Sequence, residues 1–416
     1  MLNTSIISIG DEILIGQILN SNSKWLAEQL TNRGCKINKI TSISDARQDI
    51  ISELDDLLPK SDIIIITGGL GPTHDDITKD VLCEYFKDSF VENKVWTEHL
   101  VKLFQKRGLE LSDRNKPQAF IPSRSELLWN KLGTAPGMLF KENGKYIFSL
   151  PGVPQEMVCI MEDVAFDIID KFNNEHSSDL IIYKNIQTSG IGESYLADLI
   201  KIIPEILGNS SLAFLPSYRG VKLRIGAYGI NKSSAEKELS RLDEYITRNI
   251  KDYIISNDER NYAEIVAEIL INKKLTISAA ESCTAGMLSS ALTDIAGSSK
   301  FFTGGIVTYS NEAKINNLKV SADTIEKYGA VSKETAIEMS RNIRQQMNTD
   351  FAISITGIAG PDGGTTDKPV GTVWVSISYA TGDFPILLNL RGDRKMIRER
   401  TVQSVLVELI KILRTI

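Results

Sequence analysis

The sequence predicts an α/β protein in which two three-layer α/β domains with mainly parallel sheets are joined by a small α+β module. Continuous apolar runs such as Ile63 to Ile66 are typical of parallel strands that are covered on both faces. Such runs alternate with segments of helical periodicity near both ends of the chain, which is the pattern of an α/β fold. We therefore expect domains over residues 1–170, 171–257 and 258–416.

The first domain is predicted from alternating strand and helix patterns. A β-branched run covers residues 5–9, and a helical stretch begins at Asn20. Strands are predicted over 36–43 and 62–67, with a helix over 46–58 between them.

The middle segment and the last domain have different patterns. Short strands over 180–188 and 221–228 and a helix over 233–250 indicate an α+β module. From about residue 258 the α/β pattern returns with a helix over 261–273. The predicted strands of this last domain are 275–280, 305–309, 351–356 and 371–378.

The composition limits the classes of function. The chain has 416 residues, a net charge of −6, 42% hydrophobic residues and 24% charged residues, as in a globular protein. The negative charge does not favour nucleic-acid binding, which needs clustered basic residues. The sequence has neither an apolar run long enough to span a membrane nor a signal-peptide pattern. The four cysteines form no CxxC pair, so we expect reduced thiols and a cytoplasmic location.

Polar residues follow three predicted strands of the last domain. Ser282 and Thr284 lie in AESCTAG, between a strand and a helical pattern. At a helix N-terminus they would lie beside free backbone N–H groups that hold a phosphate or an oxyanion, or they would simply cap the helix. The carboxyl ends of parallel strands lie along one edge of a sheet, where ligands bind. Several polar clusters that each follow such a strand therefore favour a ligand-binding site.

The other clusters contain tyrosine, asparagine, lysine, glycine and arginine. Tyr309, Asn311 and Lys314 follow a strand, and a glycine-rich turn over 354–364 follows another. Arg394 and Arg398 are four residues apart, hence on one face of a helix.

A hydroxyl nucleophile in this domain needs a base other than histidine. No histidine lies beyond residue 176, so Lys314 is the candidate base for Ser282, as in Ser–Lys variants of the hydrolase triad. Its amine must be desolvated to be neutral at working pH. Cys283 is the rival nucleophile, although buried cysteines are common in cores.

Glycines and carboxylates follow strands of the first domain. Gly68, Gly69 and Gly71 in TGGLGPTHDD can cradle a phosphate with backbone N–H groups. Asp76 follows them, and Asp45 follows another strand. Carboxylates at strand ends suit a metal-assisted phosphate reaction, but such turns are also common helix starts.

The last domain closely resembles the C-terminal domain of the competence/damage-inducible protein A (CinA) family. The resemblance lies in AESCTAG, GSSKFFTGGIVTYSNEAK, YGAVS, SITGIAGPDGG, KPVGTVW and GDR. It implies a nicotinamide mononucleotide amidohydrolase that releases nicotinate mononucleotide and ammonia, with Ser282 as nucleophile and Lys314 as base. We expect this domain to need no metal, since no ligand set is evident near its site. The residues implied to line the nucleotide pocket are Thr284, Tyr309, Asn311, Thr356, Gly357, Gly360, Arg394 and Arg398.

One residue departs from the family pattern. The family usually has two glycines after the threonine of this motif, and Ala285 replaces the first of them. A methyl group at this position matters if the backbone φ angle is positive.

The first domain is similar to the molybdopterin-binding-like domain of the same family. The resemblance lies in GDEILIGQILNSN, TGGLGPTHDD and SLPGVPQEM. It implies a metal-dependent ADP-ribose pyrophosphatase that uses Mg²⁺, Mn²⁺ or Co²⁺, with Asp45 and Asp76 as metal or phosphate carboxylates. The residues implied around them are Glu12, Asn20, Thr67, Gly68, Gly69, Gly71 and Glu156.

The middle module resembles the KH-type segment of these proteins. KH domains grip nucleic acid with a GxxG loop, whereas the nearest segment here is Gly190-Ile191-Gly192-Glu193. We therefore expect a structural or dimerising module, a homodimer, and small-molecule nucleotides rather than nucleic acid or membrane as partners. The alternatives are a competence or DNA-damage accessory protein that binds nucleic acid, and a molybdopterin-binding or adenylylating protein.

Overall fold

Three larger sheets, of six, four and five strands, organise the part of the chain that the computed structural model describes. The structure describes residues 1–176, 180–201, 203–217, 220–258 and 260–416. These residues group into two units, 1–183 with 226–242 and 184–225 with 243–416. The α/β class with mainly parallel sheets, predicted from the sequence, is confirmed.

The amino-terminal sheet is parallel in four strands and antiparallel at one edge. Its order is β2-β1-β3-β8-β7-β6, and β4 and β5 form a separate two-stranded antiparallel sheet. The elements are β1 (Asn3–Ile9), α1 (Asp11–Leu14), α2 (Ser21–Asn32), β2 (Lys36–Ile43), α3 (Arg47–Leu57), β3 (Ile63–Thr67), α4 (Thr78–Tyr85), β4 (Phe90–Glu92), α5 (Lys94–Lys106), β5 (Phe120–Pro122), β6 (Glu126–Leu128), β7 (Gly137–Glu142), β8 (Lys145–Leu150), α6 (Pro154–Ile160) and α7 (Phe166–His176).

Strand β3 shows why this sheet is covered on both faces. Its isoleucines alternate between two apolar clusters, because successive side chains of a strand point to opposite faces. Ile63 and Ile65 pack in the cluster that contains Leu26 of α2. Ile64 and Ile66 pack in the cluster that contains Ile50 of α3.

The middle segment forms a four-stranded sheet in the order β10-β11-β9-β12. The last strand pairs antiparallel with β9. Its elements are β9 (Leu180–Thr188), α8 (Glu193–Ile200), α9 (Pro204–Leu207), β10 (Ser211–Ser217), β11 (Gly220–Gly229), α10 (Lys232–Ile250) and β12 (Ile254–Ser256).

The carboxy-terminal sheet has the order β14-β13-β15-β16-β17. The first three strands are parallel and the last two are antiparallel. The elements are α11 (Tyr262–Lys273), β13 (Ile277–Glu281), α12 (Met287–Thr293), β14 (Phe302–Val307), α13 (Asn311–Leu318), α14 (Ala322–Tyr328), α15 (Lys333–Met347), β15 (Phe351–Gly357), β16 (Thr372–Tyr379), β17 (Gly382–Asn389) and α16 (Arg394–Thr415).

Helix starts in this domain are specified by their own side chains. Asn261 and Glu264 form a reciprocal capping box at α11, with N–H···O distances of 2.9 and 2.7 Å. Ser310 caps α13 and Asp393 caps α16 in the same manner. These caps fix where Lys314 and Arg394 lie relative to the strands before them.

Among the described residues, every helix falls short of the length and apolar character that crossing a lipid bilayer requires.

Candidate functional site

The carboxyl ends of the parallel strands β1, β2, β3 and β8 open onto one cavity of about 450 Å³. Loops from all four strand ends contribute to its walls. The lining residues are Ile9, Gly10, Glu12, Asp45, Gly68, Gly69, Leu70, Gly71, Pro72, Asp75, Asp76, Thr134, Ala135, Pro151, Gly152, Val153 and Glu156. Seven residues predicted for the phosphate and metal site therefore lie around one space: Glu12, Asp45, Gly68, Gly69, Gly71, Asp76 and Glu156.

Two glycines of the cavity occupy positions that other residues fill only at a cost. Gly68 has a φ of 115°, and a Cβ there would clash with the carbonyl oxygen of Ile9. Gly69 has a φ of 66°, and a Cβ there would clash with the hydroxyl of Thr78. The backbone consequently passes close to the cavity without side chains in the way, as a phosphate cradle requires.

Carboxylates give the cavity a negative character. Burial raises the pKa of Asp45, and the neighbouring charges of Asp11, Glu12 and Asp75 raise it further. The Asp45 carboxylate accepts the backbone N–H of Asp11 at 3.1 Å. A carboxylate crowded by like charges is stabilised by a cation.

Asp76 is held in its turn by hydrogen bonds from Thr73. Its Oδ2 accepts the backbone N–H of Thr73 at 3.0 Å and the Thr73 hydroxyl. A Cβ on Gly71 would clash with this carboxylate. Gly71 therefore allows Asp76 to lie against the loop.

The sequence did not indicate the role of Asn130. Its fully buried amide donates to Glu156 Oε2 at 2.7 Å and to the carbonyl of Ala135 at 2.8 Å. Its Oδ1 accepts the N–H groups of Leu132 and Gly133, both at 3.0 Å. Asn130 thus fixes both Glu156 and the loop that forms the cavity wall. The two residues are far apart in the sequence, so no local pattern indicated their contact.

Two predicted residues lie behind the cavity and not among its lining residues. Asn20 caps α2 by accepting the N–H of Ser23 at 3.0 Å. The buried hydroxyl of Thr67 donates to the carbonyl of Pro151 at 2.9 Å and accepts from Asn22 Nδ2 at 3.0 Å. These side chains hold the strand ends together. Asn22 takes part in this network, although its position in the sequence did not indicate it.

In the carboxy-terminal domain, Lys314 lies against Ser282. The Lys314 Nζ is 3.0 Å from Ser282 Oγ and 2.9 Å from the carbonyl oxygen of Thr308. The side chain is buried, with 1% of the residue exposed, and burial lowers the pKa of its ammonium from the ordinary value of 10.5. Burial therefore shifts the Lys314 amine towards the neutral form, which is the state a base needs.

The prediction that Ser282 and Thr284 lie at the helix N-terminus is wrong, because the helix starts later in the chain. Helix α12 begins only at Met287, after Gly286, and neither Ser282 nor Thr284 caps it. The N–H groups of its start are taken by the carboxylate of Glu281, because that side chain reaches back over the turn. Ser282 instead lies in a tight turn between strand and helix.

Cys283 points into the apolar core of this domain. It is buried in the cluster that contains Leu288 and Ile355. Burial raises the pKa of its thiol to about 11. The thiolate is therefore scarce at neutral pH, which disfavours Cys283 as the nucleophile.

The two arginines of α16 contact different parts of the site. Arg394 donates to the hydroxyl of Tyr309 at 2.8 Å and to the carbonyl of Gly360 at 2.7 Å. Arg398 donates to the carbonyl of Thr284 at 2.8 Å, in the turn that carries Ser282. The structure thus brings together five residues predicted for the nucleotide pocket.

The other three predicted pocket residues differ in their surroundings. Asn311 is exposed at the first position of α13. Thr356 is buried and donates to the carbonyl of Ala330 at 2.7 Å. A Cβ on Gly357 would lie 2.7 Å from Val373 Cγ2, so close packing of β15 against β16 requires this glycine.

A further cavity of about 480 Å³ lies at the Gly190–Gly192 turn of the middle segment. Its lining includes Tyr195, Leu199 and Tyr253. The charged side chain among its described lining residues is that of Asp198.

Comparisons with known proteins cover the full chain. Residues 5–171 match a family model described as a probable molybdopterin binding domain, residues 183–256 match the damage-inducible protein CinA KH domain, and residues 259–413 match the CinA C-terminal domain. A CinA-like protein of Cytophaga hutchinsonii is 41% identical over 413 residues, which are 98% of this chain and 96% of that protein. The chain belongs to the CinA family.

Other CinA-family proteins agree with this assignment. A putative competence-damage inducible protein of Halothermothrix orenii is 39% identical over 400 residues, 96% of each chain. A solved CinA superfamily protein of Klebsiella pneumoniae 700603 is 35% identical, covers 38% of this chain and 100% of its own, and superposes with a TM-score of 0.37. The family models and the full-length relatives confirm the resemblance expected from the sequence.

The burial of Cys283 predicts slow alkylation in the native protein. With a pKa of about 11, roughly a thousandth of the thiol is ionised at pH 8. We expect iodoacetamide to label Cys283 at least 100-fold more slowly in the native chain than in urea, measured by peptide mass spectrometry. Rapid native labelling at this cysteine would contradict the assignment and favour a thiol nucleophile.

Ala285 has a φ of 50°, the left-handed region that favours glycine. Replacement of this alanine should relieve the strain, so we expect Ala285→Gly to raise the free energy of unfolding by about 0.5–1 kcal/mol. Ala291→Gly, inside α12, is the matched control and should lower it by about 1 kcal/mol. Urea midpoints at equal m-values measure both, and a loss of stability in Ala285→Gly would show that the methyl group is favourable there.

Proposed function

We propose that the carboxy-terminal domain hydrolyses the carboxamide of nicotinamide mononucleotide. The observation that carries this proposal is the buried Lys314 amine at 3.0 Å from Ser282 Oγ, with its pKa lowered by burial. A serine becomes a nucleophile when a neighbouring base accepts its proton, and this pair satisfies that requirement without histidine. Membership of the CinA family and the match of residues 259–413 support an amidase reaction at this site.

The reaction proceeds in two halves. Ser282 Oγ attacks the carboxamide carbon, its proton passes to Lys314 Nζ, and the carbonyl π electrons move to the oxygen. When the adduct collapses, the C–N bond breaks, and the nitrogen takes the proton from Lys314 and leaves as ammonia. Neutral Lys314 then accepts a proton from water, which attacks the ester. Nicotinate mononucleotide leaves, and Ser282 recovers its proton from Lys314.

Arg394 is our candidate for binding the nucleotide phosphate. Its guanidinium is held between the Tyr309 hydroxyl and the Gly360 carbonyl, and the Arg394 residue itself is exposed. Arginine presents several N–H donors, so some remain for a phosphate while others fix the side chain. Tyr309 is 58% exposed beside it and offers an aromatic face to a pyridinium ring.

The nucleophile and the base are tested by paired substitutions in the full-length chain. Ser282→Ala and Lys314→Ala should each lower kcat for ammonia release by about 10³-fold or more, and the double variant little further, because the two act as a unit. Lys314→Arg should lose ammonia release as well, because arginine stays protonated and cannot act as a base. Since burial lowers the Lys314 pKa, wild-type activity should rise with pH with a midpoint below 10.5.

Lys319→Ala is the control for these variants, because Lys319 is an exposed lysine at the end of the same helix. It should keep near wild-type activity. If Ser282→Ala keeps more than about a tenth of the activity and Cys283→Ala does not, the nucleophile is the cysteine.

For the amino-terminal domain we propose metal-dependent hydrolysis of ADP-ribose to AMP and ribose 5-phosphate. The cavity combines a glycine cradle for phosphates with carboxylates from separate strand ends. Asp45, whose pKa is raised by burial and by neighbouring carboxylates, favours a nearby cation. Glu156, fixed by Asn130, is placed to accept hydrogen bonds from ribose hydroxyls or water.

The residues present fit a metal ion whose coordination is completed by ligands from the substrate. No group of three or more His, Cys, Asp or Glu side chains within the described ranges is arranged to hold an ion alone. Mg²⁺ commonly binds through one or two carboxylates together with substrate phosphates and water, and Asp45 and Asp76 are the pair that would hold it. Once bound, such an ion neutralises the pyrophosphate charge that develops during cleavage.

Asp76→Asn and Asp45→Asn should abolish ADP-ribose cleavage in the presence of Mg²⁺, Mn²⁺ or Co²⁺. The same proteins should release ammonia from nicotinamide mononucleotide at wild-type rates, since Ser282 and Lys314 are unchanged. AMP formation with and without EDTA is the measurement. Asp80→Asn is the control, because Asp80 is exposed in the first turn of α4 and does not line the cavity.

A second candidate for this cavity is a molybdopterin ligand, which the match of residues 5–171 favours. Pterin fluorescence that copurifies with the chain, combined with no AMP from ADP-ribose under any of the three metals, would replace the pyrophosphatase proposal with this one.

A further inference from the structure

The side chain of Glu281, the last residue of β13, has no part in the reaction described above. It is a buried carboxylate, with 1% of the residue exposed. Its Oε2 accepts the N–H groups of Gly286 and Leu288 at 3.0 and 3.1 Å. Its Oε1 accepts the N–H and the hydroxyl of Ser289 at 2.8 and 2.7 Å. Four donors therefore hold a charge whose burial would otherwise be costly.

The main chain beside this carboxylate is fixed on both sides by neighbouring strands. The carbonyl of Glu281 accepts the N–H of Thr308 at 2.8 Å, and the N–H of Ser282 donates to the carbonyl of Ile355 at 2.9 Å. Thr308 is also the residue whose carbonyl accepts from Lys314 Nζ. The peptide that carries the nucleophile is thus tied to the strand end that holds the base.

The turn between these two anchors is strained. Ala285 has a φ of 50° and Gly286 a φ of 92°, both in the left-handed region. For a residue with a Cβ this conformation is unfavourable. The main chain of Glu281 fixes the start of the turn, and its carboxylate fixes the end, at Gly286 and in the first residues of α12.

This arrangement leaves particular N–H groups available beside Ser282. The N–H groups of Ala285 and Met287 donate to the carbonyls of Ser282 and Thr284 at 3.1 and 3.2 Å. The N–H groups of Gly286, Leu288 and Ser289 donate to the Glu281 carboxylate. In the turn, within the described part of the chain, the N–H groups of Cys283 and Thr284 donate to no backbone carbonyl, and the Cys283 N–H lies beside its own thiol. Cys283 follows the nucleophile directly, and in hydrolases with a strand-turn-helix nucleophile the N–H at that position is one donor to the oxyanion.

We propose that Glu281 is a positioning residue of this site. By occupying the N–H groups at the start of α12, it holds the turn so that Ser282 Oγ meets Lys314 and the N–H groups of Cys283 and Thr284 face the developing oxyanion. The proposal rests on the amidohydrolase function proposed above. The alternative is that Glu281 only stabilises the helix start, which would change folding stability and not catalysis.

Glu281→Gln in the full-length chain separates these roles. The amide has the same shape, but its NH₂ group cannot accept the hydrogen bonds on one side, so the turn loses an anchor. We expect kcat for ammonia release to fall by about 10²-fold, the size of losing one oxyanion donor, with KM within about threefold of wild type. Assays are run well below the melting temperature of every variant.

Asp350→Asn is the matched control for stability. The Asp350 carboxylate likewise accepts a backbone N–H and a hydroxyl, both from Thr276 at 2.8 Å, at the opposite end of the same sheet. The Asp350→Asn substitution should lower the melting temperature, while kcat stays within about twofold of wild type. If Glu281→Gln behaves like Asp350→Asn, with stability reduced and kcat kept, Glu281 only stabilises the fold.

A readout without substrate distinguishes this proposal from the choice of nicotinamide mononucleotide. A fluorophosphonate labels a serine that is activated and has an oxyanion site, and Ser282→Ala identifies the labelled position. Labelling of Glu281→Gln at least 10-fold slower than that of Asp350→Asn supports the proposal even if wild type releases no ammonia. Equal labelling rates, or no Ser282 labelling in wild type, would overturn it. If Glu281→Gln does not fold, Glu281→Asp, which keeps the charge but shortens the reach, is judged by the same criteria.

Discussion

The buried amine of Lys314 is the constraint on which the carboxy-terminal site depends. Removing its ammonium from water is unfavourable, and this burial lowers the pKa of Lys314 from its ordinary value. Neutral lysine can donate to the Thr308 carbonyl and accept from the Ser282 hydroxyl, which are the groups within 3.0 Å. Folding around this amine therefore positions the nucleophile, the strand β14 and the helix α13 together.

Both domains place their candidate site residues at the carboxyl ends of parallel strands, but the charged side chains of the two sites are opposite in sign. Parallel strands place their carboxyl ends at one edge of each sheet, where loops distant in sequence meet. In the amino-terminal domain these loops supply glycine backbone and carboxylates, and crowding with burial raises the pKa of Asp45. In the carboxy-terminal domain they supply a desolvated lysine and two arginines. The proposed metal-dependent phosphate chemistry of the first site and the proposed serine chemistry of the second rest on this difference.

Backbone conformations with positive φ angles occur next to both candidate sites. Gly68 and Gly69 have positive φ angles at the cavity wall, and Ala285 and Gly286 have them in the nucleophile turn. Such conformations persist when surrounding contacts fix them, and Asn22, Asn130 and Glu281 supply contacts of this kind. These supporting residues carry no reactive role in the proposed chemistry, yet they determine where the reactive groups lie.

The sequence by itself determined the order of elements and the residue types of both sites. Apolar runs such as Ile63 to Ile66 and the glycine and polar clusters after the strands were sufficient, because periodicity and turn chemistry are local. The pairing of Ser282 with Lys314 was also predicted, since no histidine was available in that part of the chain.

Only the tertiary structure decided which polar residues line a site and which hold it in place. Thr67, Thr356 and Asn20 looked like site residues but bond to backbone or cap a helix, whereas Asn130 and Glu281 gave no local signal. The start of α12 was expected either to be free or to be capped by Ser282 or Thr284, and the structure caps it with Glu281. The physical reason is that a side chain's role depends on which distant donors and acceptors folding brings within about 3 Å of it, and spacing along the chain does not encode those partners.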